Sequence, residues 1–252
     1  VPFPPPTAPA AAKTPVPPEL AVVRKQPEGK GKGNEALVGA VTATFNQPMV
    51  PLSSLEDLRA ENVPLVIEPK VPGRFRWLGT TTVTFEPEGR MPMATVYTAR
   101  VPAGATSALG KKLAKEVSWT FRTPAPTVVA KYPHDGDTHA TPESVIGIAW
   151  NQKMDATRAL ASITITGPGG KIDVVPVPAA EWAAIKGAPV GKWDPERSIV
   201  LRPRTPLAKD SRFSVEVAAG LTGAEGPLAT PSKVKWGFRT YAPLKVVRVQ
   251  CN

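Results

Sequence analysis

Three sequence anchors occur twice in this chain, in the same order, so its fold has to be built from one unit used twice. Phe45-Asn46-Gln47-Pro48-Met49 returns as Trp150-Asn151-Gln152-Lys153-Met154. The close Trp119-Thr120-Phe121-Arg122-Thr123-Pro124-Ala125-Pro126 returns as Trp236-Gly237-Phe238-Arg239-Thr240-Tyr241-Ala242-Pro243. The opening Leu20-Ala21-Val22-Val23-Arg24-Lys25-Gln26-Pro27 is matched by Thr127-Val128-Val129-Ala130-Lys131-Tyr132-Pro133. A third opening, Leu244-Lys245-Val246-Val247-Arg248-Val249-Gln250, follows the second close. The chain therefore divides into a proline-rich leader (1–19), a first repeat (20–126), a second repeat (127–243) and the start of a third domain (244–252). It is expected to be a fragment of a longer modular protein.

Each repeat is long enough for its own core, and its hydrophobic pattern has the period of strands. Val41, Ala43 and Phe45 alternate with Thr42 and Thr44, and Val83 and Phe85 alternate with Thr82 and Thr84. Ile146, Ile148 and Trp150 share a face, as do Phe213, Val215 and Val217. Turn signals such as Gly73, Gly89, Pro133-His134-Asp135-Gly136 and Gly167-Pro168-Gly169-Gly170 separate these runs. Many short alternating strands predict an all-β chain of two tandem antiparallel β-sandwich domains, Ig-like or macroglobulin-like, with short helical insertions. The leader holds eight prolines and only Lys13 and Glu19 as charged residues, the composition of an extended stalk or tether.

Two helices are expected at matching places. Ser53 and Glu56 have capping-box spacing, and Asp155 is placed to cap a helix running to Leu160. A further helical turn is expected over Ala179 to Lys186. It falls in an insertion, because the first anchors lie 105 residues apart and the last 117. Insertions of this kind sit on loops and can carry binding.

The chemistry-bearing residues do not assemble into a site. His134, Asp135, Asp137 and His139 crowd one loop, but the spacing fits neither the common zinc motifs nor a calcium loop. A solvated turn is expected there. Gly29-Lys30-Gly31-Lys32-Gly33 lacks the Lys-Ser/Thr and helix of a phosphate loop. Arg74 and Arg76 beside Trp77 are expected on the solvent face of a strand. The Asn-Gln-x-Met box is expected to serve the fold, with Asn46 and Asn151 satisfying backbone groups and the Met filling core. The acids are dispersed, and no nucleophile–base pair stands out. No catalytic, cofactor-binding or metal site is expected, no cofactor, and no enzyme. Cys251 is either a thiol without consequence or half of a disulfide.

The net charge of +10 invites a nucleic-acid reading. The first repeat carries 14 basic and 9 acidic residues and the second 14 and 11, with the signs interspersed. A nucleic-acid surface concentrates its cations, so no nucleic-acid partner is expected. No apolar run is long enough to span a bilayer.

With the repeat laid out, each copy resembles the bacterial Ig-like module. That module opens on Val-Val-x-x-x-Pro, carries a Phe-Asn-Gln-Pro-Met box and closes on Trp-x-Phe-x-Thr. Phe45 to Leu58, Pro72 to Thr80, Thr84 to Pro87 and Arg90 to Thr95 resemble the copies near the start of bacterial α2-macroglobulin-like proteins. The resemblance covers about residues 20–250. It implies a non-catalytic scaffold fragment of a protease inhibitor of the periplasm or cell envelope, whose parent traps proteases through regions outside this chain. It further implies membrane attachment only through a lipid anchor, with other domains of the parent and envelope proteins or polymers as partners. The rival is a tandem binding or adhesin module that uses the loop 179–192. That reading predicts an exposed aromatic patch around Trp182 and Trp193.

Overall fold

The computed structural model describes residues 18–27, 38–51 and 63–244. The chain is all-β, and every strand-to-strand ladder is antiparallel. The first repeat contributes β1 (Val22–Gln26), β2 (Val41–Phe45), β3 (Val66–Glu68), β4 (Gly73–Leu78), β5 (Thr82–Pro87), β6 (Val96–Val101) and β7 (Val117–Arg122). The second contributes β8 (Val128–Tyr132), β9 (Ile146–Trp150), β10 (Ile163–Gly167), β11 (Gly170–Lys171), β12 (Val174–Pro176), β13 (Ser198–Pro203), β14 (Arg212–Val217) and β15 (Val234–Arg239). One sheet of the first repeat runs β1-β2-β5-β4 and the other β3-β6-β7. The second repeat answers with β8-β9-β13-β12 and β11-β10-β14-β15. Among the described residues, strands of one repeat pair only with strands of the same repeat.

Each sandwich closes over its own core, and the alternating residues supply it. Val41, Ala43, Phe45, Val83 and Phe85 are buried with Tyr97, Trp119 and Phe121 in the first. Ile146, Ile148, Trp150, Phe213, Val215, Val217, Trp236 and Phe238 are buried together in the second. Tyr97 stacks on Phe121 with ring centres 5.3 Å apart, and Phe213 stacks on Phe238 at the equivalent place at 5.4 Å. The expected helix after the second box is α1 (Ala156–Ser162), and the Asp155 side chain accepts from the Arg158 amide at 2.9 Å. The expected helix at Ser53–Glu56, the loop 28–33, most of the leader and Cys251 lie outside the described residues.

The two repeats differ on one outer sheet face. In the first, Thr42 pairs with Thr84 and Thr44 with Thr82 on the outward side of β2 and β5. The Thr44 and Thr82 hydroxyls hydrogen bond at 3.0 Å. In the second, Gly147, Ala149, Ser198 and Val200 take the same places on β9 and β13. There the tight turn at Gly79 is replaced by the stretch 177–197, which folds back as three short 3₁₀ turns. Trp182, Val190 and Trp193 cover Val145 and Val200 and form a third layer with Val177. Every residue of β9 is therefore buried. Gly147 is required by this layer, since a Cβ there would lie 2.7 Å from the Trp193 ring and 2.8 Å from Val190.

The exposed aromatic patch that the rival binding reading predicts around Trp182 and Trp193 is thus not found there. Trp182 is only 5% exposed and donates its indole N–H to the Val177 carbonyl at 2.9 Å. Trp193 is half-buried over Gly147. The helical turn expected over Ala179 to Lys186 is a 3₁₀ turn, Ala179–Ala184. It serves packing: the flat face of an Ala/Gly/Val sheet has to be covered.

Candidate functional site

The residues with notable chemistry resolve into local fastenings. The Asp135 carboxylate accepts from the Gly237 amide at 3.0 Å, and the Asp137 carboxylate accepts from the His139 amide at 2.8 Å. The crowded His/Asp loop is therefore pinned to β15, with His134 edge-on to Tyr132. Among the described residues, no group of three His, Cys, Asp or Glu side chains is placed to hold a metal. Arg74 and Arg76 both bridge to Glu86 on the solvent face of β4 and β5, at 3.0 and 2.6 Å. A hollow of about 550 Å³ beside the insertion is lined by Tyr132, His139, Glu143, Glu181, Lys186 and Arg202.

The Asn of each box fastens the segment that enters its repeat. Asn46 accepts from the Ala21 amide at 2.9 Å and donates to the Glu19 carbonyl at 2.8 Å. Asn151 accepts from the Thr127 amide at 3.0 Å and donates to the Ala125 carbonyl at 3.1 Å. The Gln behind it is matched in one copy only. Gln47 donates to the Pro18 carbonyl and accepts from the Ser107 hydroxyl. Gly223 stands where Ser107 would be, and Gln152 is fully buried with no protein partner among the described residues.

The most constructed polar cluster lies where the two repeats meet, and it centres on Glu225. This acid sits at the tip of the loop between β14 and β15. Both its oxygens take the Arg90 guanidinium at 2.7 Å, a bidentate pair across 135 residues of sequence. The same carboxylate accepts from the Met93 amide at 3.1 Å and from the Lys153 amide at 3.2 Å. Beside it, the Leu228 amide donates to the Ala94 carbonyl at 2.8 Å. The Ala224 amide donates to the Lys153 carbonyl at 3.0 Å, which keeps the loop on its own repeat. Gly226 lies so close to the first repeat that a Cβ would be 2.3 Å from the Thr95 hydroxyl and 2.4 Å from the Met93 carbonyl oxygen.

The floor of this contact is a shelf formed by Arg90 to Thr95 at the foot of β6. Met93 and Ala94 are buried, yet neither belongs to the core of the first repeat. Ala94 takes a left-handed φ of 54°, and its amide donates to the Pro124 carbonyl of the linker at 2.9 Å. The linker is thus tied to the first repeat through Pro124 and to the second through Asn151. Bidentate charge-assisted bonds joined to two amide donors make the Glu225 contact directional.

Burial of the Glu225 carboxyl works to raise its pKa. The hydrogen bonds from Arg90, Met93 and Lys153 and the Arg90 charge outweigh that and hold it at about 2, below the ordinary 4.5. A depressed acid stabilises the folded arrangement above its unfolded pKa and loses that contribution as pH falls through the folded value. The joint is therefore expected to hold unchanged from pH 7 to about 5 and to loosen as pH falls from about 4.5 toward 2. The ¹³C shift of the Glu225 carboxyl, followed by NMR, reads this directly. A carboxyl titrating near 4.5 would contradict the geometry.

Nothing in the sequence singled out Glu225, because its partners come from the other repeat. One signal was available. Aligning the repeats at an offset of 116 places Glu225-Gly226 on Leu109-Gly110, so the second copy carries an acid where the first carries an exposed leucine.

Comparison with known proteins gives the following likenesses. The family model described as "Bacterial Ig-like domain" matches residues 16–123 and again 122–240. An alpha-2-macroglobulin homolog of Nostoc sp. is 24% identical over 231 residues, covering 86% of this chain and 12% of that protein. Circularly permutated Ras protein 2 of Dictyostelium discoideum is 26% identical over 161 residues, 61% of this chain and 4% of that protein. The chain thus spans only a small part of the relatives it matches. Among solved structures, native alpha-2-macroglobulin of Escherichia coli spanning domains MG0-NIE-MG1 shares 10% identity at a TM-score of 0.28, over 88% of this chain and 71% of that one. An L,D-transpeptidase of Mycobacterium tuberculosis shares 15% at a TM-score of 0.28, over 62% and 63%. At these TM-scores neither structural likeness carries an argument.

Proposed function

Since the chain belongs to the bacterial Ig-like domain family in each of its two repeats, we propose that it is a non-catalytic, two-module spacer from a bacterial α2-macroglobulin-like protease inhibitor. In this reading it holds the parts of the inhibitor that meet a protease at a fixed distance and angle from the point where the parent is anchored in the cell envelope. The observation that carries the proposal is the Glu225 cluster. A loop of one module is pinned to a shelf of the other by an ion pair, two amide donors and a backbone bond. Flexibly tethered binding modules need no such joint, and a spacer that transmits geometry does. The likeness to the Nostoc protein supports the choice of parent. The burial of Trp182 weighs against the rival in which the insertion presents aromatic side chains to a ligand.

The test compares this chain with the full product of its gene in a protease-protection assay. The full product, cleaved by a broad-specificity protease, is expected to retain that protease in a complex and shield it from a large substrate. The 252-residue chain alone is expected to leave protease activity unchanged. A full product that is degraded without retaining the protease would overturn the inhibitor reading.

A further inference from the structure

The backbone shelf that seats the joint recurs in the second repeat, with Pro206 in place of Arg90, and there nothing among the described residues covers it. The shelf Arg90–Thr95 of the first repeat corresponds to Pro206–Ser211 of the second at the offset of 116. The backbone agrees: Ala94 has φ 54° and Asp210 φ 52°. The supporting bonds agree as well. The Thr123 hydroxyl donates to the Pro92 carbonyl at 2.8 Å, and the Thr240 hydroxyl donates to the Ala208 carbonyl at 2.6 Å. The Ala94 amide is held by Pro124, and the Asp210 amide by Tyr241 at 3.0 Å.

The two shelves differ in what covers them. In the first repeat the Met93 N–H and the Ala94 carbonyl are both taken by the loop of the second repeat. In the second repeat Ala208, Lys209 and Asp210 are exposed, and the Lys209 N–H and Asp210 carbonyl have no partner among the described residues. A non-glycine residue at positive φ is an unfavourable conformation that persists where the surroundings fix it. Here it presents one donor and one acceptor outward in the same arrangement that the first shelf uses. The chain leaves this shelf through Tyr241, and residues 244–250 repeat the opening of both modules.

We propose that Pro206–Ser211 is the seat for the loop tip of a further bacterial Ig-like module following residue 244 in the same polypeptide, with an acidic residue at the position matched to Glu225. Its carboxylate accepts from the Lys209 N–H as Glu225 accepts from Met93. An amide two or three residues further on donates to the Asp210 carbonyl as Leu228 donates to Ala94. The charge fits an acid. Lys209 and Arg212 are exposed at the shelf with Arg204 just before it, and the one acid there, Asp210, is paired to Arg239 at 2.7 Å. A second copy of this chain fits less well, since its free tip carries Leu109, Lys111 and Lys112 and no acid.

The inference rests on reading the chain as part of a longer array, and its test is separate from the protease assay. Amide hydrogen exchange is compared between this chain and the same chain extended through one further module of its gene. The Lys209 amide is expected to slow at least tenfold in the extended chain. The Met93 amide is expected to be protected in both, which reports the joint already described. Fast exchange at Lys209 while the added module's own strands are protected would overturn the proposal. A gene that encodes no further repeat, or a basic or apolar residue at the tip, would overturn it equally. None of these results would alter whether the full product retains a protease.

Discussion

Gly226→Val is expected to open the joint and leave both modules folded. The first β-carbon would already meet the Thr95 hydroxyl and the Met93 and Ala94 carbonyl oxygens at 2.3 to 2.5 Å. Those atoms cannot yield, because the shelf is fixed by Thr123 and by the linker at Pro124. Valine therefore lifts the loop, and with it go the Glu225–Arg90 pair and the Leu228–Ala94 bond. Hydrogen bonds to charged groups contribute about 1.5–3 kcal/mol each in net terms, and the partly exposed Arg90 side chain lowers that by screening. A net loss of roughly 3 kcal/mol corresponds to about a 100-fold rise in exchange at the Met93 and Leu228 amides. Amides of β5, β9 and β14, deep in the two cores, are expected to keep their protection. Unchanged exchange at Met93 would mean that the loop does not hold the joint. Loss of protection throughout would mean that the modules are not separable folding units.

The second large effect is expected at the insertion. Trp182→Ala removes the centre of the third layer and leaves a cavity over Val200 with the Val177 carbonyl unsatisfied. Large-to-small changes at a buried tryptophan cost about 3–5 kcal/mol. For a module of this size that lowers the melting temperature by roughly 10 °C or more. The first repeat has its own core and shares none of this layer, so its melting is expected to shift by no more than the loss of the Glu225 joint accounts for. Calorimetry with resolved transitions reads both. A loss below about 1 kcal/mol would show that the layer is loosely attached, and would reopen the insertion as a binding loop.

The strands were legible because their signal is local. Val41, Ala43 and Phe45 declare an inward face by alternation alone, and the same holds for Phe213, Val215 and Val217. The Asn of the box was legible as a fastening because it occurs twice in the same setting. The insertion was legible as extra length, but its burial was not. Trp182 has the composition of a binding residue, and what buries it is a layer shared with Val145 and Val200, which lie elsewhere in the chain. Glu225 was invisible for the same physical reason. A single surface acid has no pattern of its own, and its partner Arg90 belongs to another module. Contacts between modules leave a trace only where two copies of a repeat depart from each other, as Glu225 departs from Leu109.

The two modules are expected to form one rigid unit, and residual dipolar couplings of the backbone amides in a weakly aligned sample at pH 7 read this. A single alignment tensor is expected to fit the couplings of β1–β7 and β8–β15 together, with the relative orientation fixed by the Glu225 joint. Two tensors of different magnitude, one for each module, would contradict the account and leave a pair of independently tumbling domains.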